Sequence, residues 1–144
     1  METFILREAR VVYRKYRRVK SLTFKSPATV YEHWFKRLKR EANEKMVSVY
    51  LNSANEAIAF SSDEGDLDQC VVYPRKIVKA ALLNNATRMI FVHNHPSNNV
   101  KPSEHDIEIT KKLKEALATV DIEVLDHIIV GDGGYYSFRE HGII

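Results

Sequence analysis

Residues 89–106 read Met-Ile-Phe-Val-His-Asn-His-Pro-Ser-Asn-Asn-Val-Lys-Pro-Ser-Glu-His-Asp. Met89–Val92 is a short apolar run of the buried-strand type, and it delivers the chain directly into His93-Asn94-His95-Pro96. Ser97–Pro102 is polar and carries the turn formers Asn and Pro, so it reads as a loop. Ser103 suits the N-cap of a helix over roughly Glu104–Ala118, with Leu113, Ala116, Leu117 and Val120 giving its apolar stripe. Strand, loop and helix in immediate succession form the repeating unit of an α/β domain.

Working downstream, Ile122–Val130 reads as a strand, Gly131-Asp132-Gly133-Gly134 as a tight turn, and Tyr135–Phe138 as the hairpin partner. Upstream, Tyr73-Pro74 opens a helix with Ile77, Val78, Ala81 and Leu82 apolar and Asn84-Asn85 near its end. Val47, Val49 and Leu51 follow a period of two, and Asn52–Asn55 turns the chain into Ala57–Phe60, a hairpin. Ser61–Gln69 is acidic and turn-rich, hence a loop. Ser26-Pro27 is an N-cap followed by proline in the first turn, and the helix it opens runs to about Glu41 with Val30, Trp34, Leu38 and Phe35 inward. Residues 4–24 alternate loosely between apolar and basic positions, as a strand or two with one polar side would. The expected order is β-α-β-β-α-β-α-β-β: an α/β (α+β) fold with a mixed sheet packed by about three helices. A basic arm over residues 1–25 precedes a single domain over 26–144.

The 144 residues suffice for one domain with a real core. A hydrophobic fraction of 44% with 28% charged residues is a globular rather than a disordered composition. No run approaches the ~20 apolar residues of a membrane span, and the N-terminal charges do not fit a secretory signal. Cys70 is the single cysteine. It excludes an intramolecular disulfide, reads as a small buried hydrophobe and fits a cytoplasmic location. The net charge of +3 conceals an asymmetry. Residues 1–40 hold twelve Lys/Arg against three Asp/Glu, and residues 41–144 hold ten against sixteen. A basic segment of this kind tracks phosphates by displacing counterions, or forms the solvated face of a strand and helix.

The chemistry concentrates in H-N-H-P-x6-S-x-x-D, His93 to Asp106. Two histidines two apart at a strand end project to one side, so both imidazoles reach one ion. Asp106, in the first turn of the following helix, completes three protein ligands and leaves a fourth tetrahedral position for water, as in catalytic zinc sites. Imidazole and carboxylate suit zinc without excluding other first-row metals. Taken singly, His-x-His is common by chance, and Ser-x-x-Asp before an apolar helix is an ordinary capping signature.

The pattern resembles the JAMM motif of the JAB/MPN metalloprotease superfamily. Tyr73-Pro74-Arg75, Asn85-Ala86, HNHPS, PSxxD, LDHIIVG and YYSFRE-x-G, in that order, narrow the resemblance to its RadC-like branch over roughly residues 41–144. The resemblance implies the MPN fold, similar to that of the cytidine deaminases. It also implies one zinc ion per chain on His93, His95 and Asp106, with Ser103 placed to stabilise an oxyanion. The superfamily motif includes an upstream glutamate as general base. Glu44 matches it, because it stands just before the Met46–Leu51 strand. Two positions depart from the branch: Lys76 stands where P-R-E is usual, and Asn98 where glycine is favoured. The helix-hairpin-helix region of full-length RadC proteins is absent from these residues. Asp126-His127 sits on a strand and reads as a structural or ligand-supporting pair. His33, His105 and His141 read as exposed.

Three functions compete on this evidence. The first is a zinc metallohydrolase cleaving a peptide or isopeptide-linked protein substrate. The second, suggested by the DNA-repair association of RadC, is a nucleic-acid-binding protein using Arg14, Lys15, Arg17 and Arg18. The third is an inactive scaffold for protein partners. The letters H-N-H do not make an HNH nuclease, whose residues are spread over a ββα unit. A deaminase would need H-x-E and P-C-x-x-C.

Overall fold

The computed structural model describes residues 21–65 and 70–144. The expected strands before residue 21, and the arm residues Arg14, Lys15, Arg17 and Arg18, lie outside them. The elements are α1 (Pro27–Leu38), β1 (Lys45–Leu51), β2 (Ala57–Glu64), α2 (Pro74–Leu83), β3 (Arg88–Asn94), α3 (Glu104–Ala118), β4 (Glu123–Gly131) and β5 (Gly134–Ser137). The sheet runs β2-β1-β3-β4-β5. Only β3 and β4 are parallel, as the α3 crossover between them requires; the other pairs are antiparallel. The mixed sheet with three helices is the α/β fold expected of a JAB/MPN domain.

Helices cover both faces of the sheet. On one face Val30, Trp34 and Leu38 of α1 pack against Val47, Val49, Leu51, Ile90, Val92, Ile128 and Val130. On the other, Ile77 and Ala81 of α2 and Ile109, Leu113 and Leu117 of α3 meet Met46, Tyr50, Met89 and Phe91. β1 and β3 are therefore buried from both sides, which is why they read as nearly continuous apolar runs. Ser26 caps α1 by accepting from Thr29 N, and the Thr29 hydroxyl accepts in return from Ser26 N.

Two expectations, for Ser61–Glu64 and His33, need correction. Ser61–Glu64 is not loop but the end of β2, paired with Lys45–Ser48. Its alternation of half-buried and exposed residues is that of an edge strand, which tolerates acidic side chains. Leu82 faces outward and is 51% exposed, because α2 is covered only along the line of Ile77 and Ala81. His33 is half-buried, wedged edge-on between Phe24 and Trp34. Cys70 is buried as expected, and burial pushes its thiol up to about 11.

Among the described residues no helix is long and apolar enough to cross a membrane. Leu113→Ala, at a fully buried position, is expected to cost about 2–5 kcal/mol in urea unfolding. Leu82→Ala should cost about 0.5 kcal/mol or less.

Candidate metal centre

β1 runs antiparallel to β3 with Met46 opposite His93, so the start of β1 and the end of β3 share one edge of the sheet. The chain leaves β3 at this edge, makes the loop of residues 95–103, and returns as α3, whose first turn carries Asp106. Four ligand atoms converge there. Those of Glu44, His93, His95 and Asp106 all lie within 4.8 Å of one another. His93 Nε2 stands 2.9 Å from His95 Nε2. It is 3.4 Å from Glu44 Oε1 and 3.4 Å from Asp106 Oδ1. His95 Nε2 is 3.2 Å from Asp106 Oδ2. Glu44, His93 and Asp106 are buried, and His95 is half-buried.

These dimensions suit a small divalent cation. Ligand atoms about 2.0–2.1 Å from a tetrahedral zinc ion stand about 3.3 Å from one another. The donor set agrees as well. The backbone carbonyl of Asn99 lies 2.6 Å from His95 Nδ1 and can only accept, so Nδ1 carries the proton and Nε2 presents its lone pair to the cluster. Two carboxylates withdrawn from water beside it need a compensating positive charge. Burial works to raise the Asp106 carboxyl, yet the His93 and His95 rings beside it outweigh burial and hold the group far below the usual carboxylate range. Burial lowers His93. In His95 the same effect is overcome by Asp106 and the Asn99 carbonyl, which raise it.

Each side chain is set by local structure. Ser103 and Asp106 form a reciprocal capping box at the start of α3: Ser103 Oγ accepts from Asp106 N at 3.0 Å, and Asp106 Oδ2 accepts from Ser103 N at 2.8 Å. The capping reading and the ligand reading of this motif are thus compatible, since Asp106 Oδ1 remains directed at His93. Glu44 is held through its backbone. Asn94 Oδ1 accepts from Lys45 N at 2.8 Å, and Asn94 Nδ2 donates to Asn43 O at 3.1 Å. One buried amide therefore grips the residues on either side of Glu44. On a third side, Gly65 N donates to Glu44 O.

The loop over the cluster explains one departure noted above. Asn98 has φ +61°, in the left-handed region that glycine occupies freely and asparagine tolerates. It packs against Gly131, where an added Cβ would stand 2.6 Å from Val100 Cγ1 and 2.9 Å from Asn98 O. Lys76, the other departure, forms an ion pair with Asp63 on β2.

Two supporting residues escaped the motif reading, and a third was left undecided. Asn94 was seen only as a spacer between the histidines. Thr110 lies one helical turn beyond Asp106 on a face that reads as ordinary helix. His127 is fully buried, with Nε2 2.7 Å from His93 Nδ1. Its neighbour Asp126 serves the hairpin instead, accepting from Ser137 Oγ, Arg139 N and His127 N. His141 is exposed as expected. His105 is not: it is half-buried beside the cluster residue Asp106, with its Nε2 out of water and without a hydrogen-bond partner.

A mixed sheet sandwiched by helices, with two imidazoles and two carboxylates gathered at the end of its central strand, defines a domain of the JAB/MPN type, a metal-dependent hydrolase superfamily. The chain belongs to the RadC-like JAB domain family, whose model matches residues 24–143. A UPF0758 protein of Cellvibrio japonicus is 45% identical over 118 residues, 81% of this chain and 53% of the relative. One from Pseudoalteromonas translucida is 46% identical over 125 residues, 84% and 54% respectively. One from Methanosarcina acetivorans is 38% identical over 120 residues, 83% and 52%. The chain thus spans about half the length of the curated relatives it matches.

The purified protein is expected to carry about one divalent metal ion per chain by elemental mass spectrometry, and the His93→Ala/His95→Ala double variant none. Equal metal content in the two would remove the cluster as the binding site.

Proposed function

We propose that the chain is a zinc-dependent hydrolase that cleaves peptide or isopeptide bonds in a protein substrate. The observation that carries this reading is the convergence of Glu44 on the same 4.8 Å cluster as His93, His95 and Asp106. Held by His93, His95 and Asp106, zinc would supply Lewis acidity, bringing the pKa of a water molecule towards about 7 and polarising the scissile carbonyl.

The remaining steps fall to the protein. Glu44 takes a proton from the attacking water and passes it to the departing nitrogen, which makes an amide or isopeptide amine a competent leaving group. Its burial keeps bulk water from competing for that proton, and the Asn94 grip fixes where the carboxylate stands. Ser103 Oγ uses a lone pair to cap α3, so its own proton is free to be donated to the oxygen on which negative charge develops. The edge of the cluster at His95 adjoins a small crevice bordered by Phe35, Lys39, Pro96 and Asn98.

Glu44→Gln should abolish hydrolysis of peptide and isopeptide substrates while zinc remains bound. Retained hydrolysis would remove Glu44 from the mechanism, and loss of zinc would make it a ligand rather than a base. Asn94→Ala should keep zinc and lower kcat by about 10- to 100-fold through misplacement of Glu44.

The charge asymmetry favours a second reading, in which the basic arm of residues 1–25 binds nucleic acid and the metal serves that role or is structural. Lys36 and Arg37 in the last turn of α1 extend the basic character into the described residues. DNA affinity should then fall steeply between 50 and 200 mM salt, as it does by orders of magnitude for multi-phosphate contacts. Salt-insensitive or absent binding in a filter or fluorescence assay would sink this reading.

A further inference from the structure

Behind His93 a chain of buried hydrogen bonds runs away from the cluster and returns to it through the backbone. His93 Nδ1 is 2.7 Å from His127 Nε2. His127 Nδ1 is 2.6 Å from Thr110 Oγ1. Thr110 Oγ1 is 2.6 Å from the carbonyl oxygen of Asp106. Four residues, all buried, thus link one face of the metal ligand His93 to the main chain of Asp106.

The protons in this chain can be counted. The Asp106 carbonyl has none, so the contact at 2.6 Å exists only if the Thr110 hydroxyl donates to it. Having spent its single proton there, Thr110 Oγ1 can only accept from His127, whose Nδ1 must therefore carry hydrogen. A neutral imidazole has one N–H, so His127 Nε2 is an acceptor, and the hydrogen between the two rings belongs to His93 Nδ1. His93 Nε2 is left as a lone pair facing Glu44, His95 and Asp106. Neutrality of His127 follows from its surroundings. It is fully buried, Phe138 stacks on its ring at 4.6 Å and Phe91 closes it edge-on at 6.0 Å.

We infer that Thr110 and His127 are positioning residues that lock His93 in the Nδ1–H tautomer, so that Nε2 is prepared as a ligand before any metal arrives. Alternative proton placement reverses the result: were Thr110 to donate to His127, an N–H would point from His93 Nε2 into the cluster. One hydroxyl and its carbonyl acceptor decide between the two. The partner on His93 is, moreover, a neutral ring where metal-bound histidines often have a carboxylate. No third negative charge is added to the two carboxylates of the cluster, and His93 is left a less basic ligand.

The inference rests on the cluster being a metal centre, and the test separates the two. Ring 15N spectra of histidine-labelled, metal-free protein at pH 8 are expected to show His93 as the Nδ1–H form in the wild type and in Thr110→Ser. In Thr110→Val they should show a shift towards the Nε2–H form. Zinc affinity by chelator competition should fall about 10- to 100-fold in Thr110→Val and be restored in Thr110→Ser, with circular dichroism unchanged. Wild-type His93 in the Nε2–H form overturns the inference without recourse to any variant. A folded Thr110→Val protein with wild-type tautomer and zinc affinity overturns it as well. The spectra need no metal, so they decide the role of Thr110 even if the wild type binds no zinc, a result that would remove the metal reading alone.

Discussion

Two carboxylates and two imidazoles are drawn out of water with their ligand atoms within 4.8 Å of one another, and much of the surrounding structure answers to that crowding. Ionised groups are costly to bury without compensation, and like charges held close are costlier still. The fold meets this cost with geometry available only at the end of a strand. β3 stops at Asn94, α3 begins at Glu104, and the antiparallel β1 starts at Lys45. Three backbone segments thus meet where each still has unpaired amides and carbonyls to offer. Ser103 N, the Asn99 carbonyl and the backbone flanking Glu44 are all used to orient members of the cluster or their carriers.

The supports differ in kind from one cluster residue to the next. Asp106 is fixed by a capping box, so the same two bonds that start α3 aim the carboxylate. Glu44 is fixed through a neighbour's side-chain amide gripping the main chain on either side of it. His95 takes its tautomer from a loop carbonyl, and His93 from a hydroxyl and a second imidazole. Two of these supports, Asn94 and the Thr110–His127 pair, are buried; the capping Ser103 is exposed, and the fourth depends on a loop shaped by the left-handed Asn98 and the close approach at Gly131. Within the cluster His95 is the most exposed member among the described residues, the other three being buried.

Much of this was legible along the chain. β3 and α3 announced themselves because a buried strand and a capped amphipathic helix have different periods, and the motif sits at their junction. The last four residues of β2 look like loop in the sequence because they are polar and acidic on an edge strand; only pairing with β1 reveals them as sheet. Leu82 faces solvent although it is apolar, because an apolar helix stripe does not say how wide a surface its partner will cover. Asn98 looked like a departure from glycine, yet the backbone angle shows that the two residues answer the same requirement.

The residues from His93 to Asp106 by themselves determined that two imidazoles and a carboxylate would meet, because strand alternation and helix capping are local rules with ranges of a few residues. Glu44 comes from a resemblance, since nothing local says that a strand more than forty residues upstream starts beside His93. His127 shows the limit most clearly. Val124 faces α3, and strict alternation from it would turn His127 to the opposite side. β4 carries one extra residue at Leu125 in its pairing with β3, and this bulge rotates His127 back towards Thr110 and His93. A bulge is a property of two strands in register. Tertiary pairing alone therefore decided that His93 would have a neutral, hydrogen-bonded partner behind it.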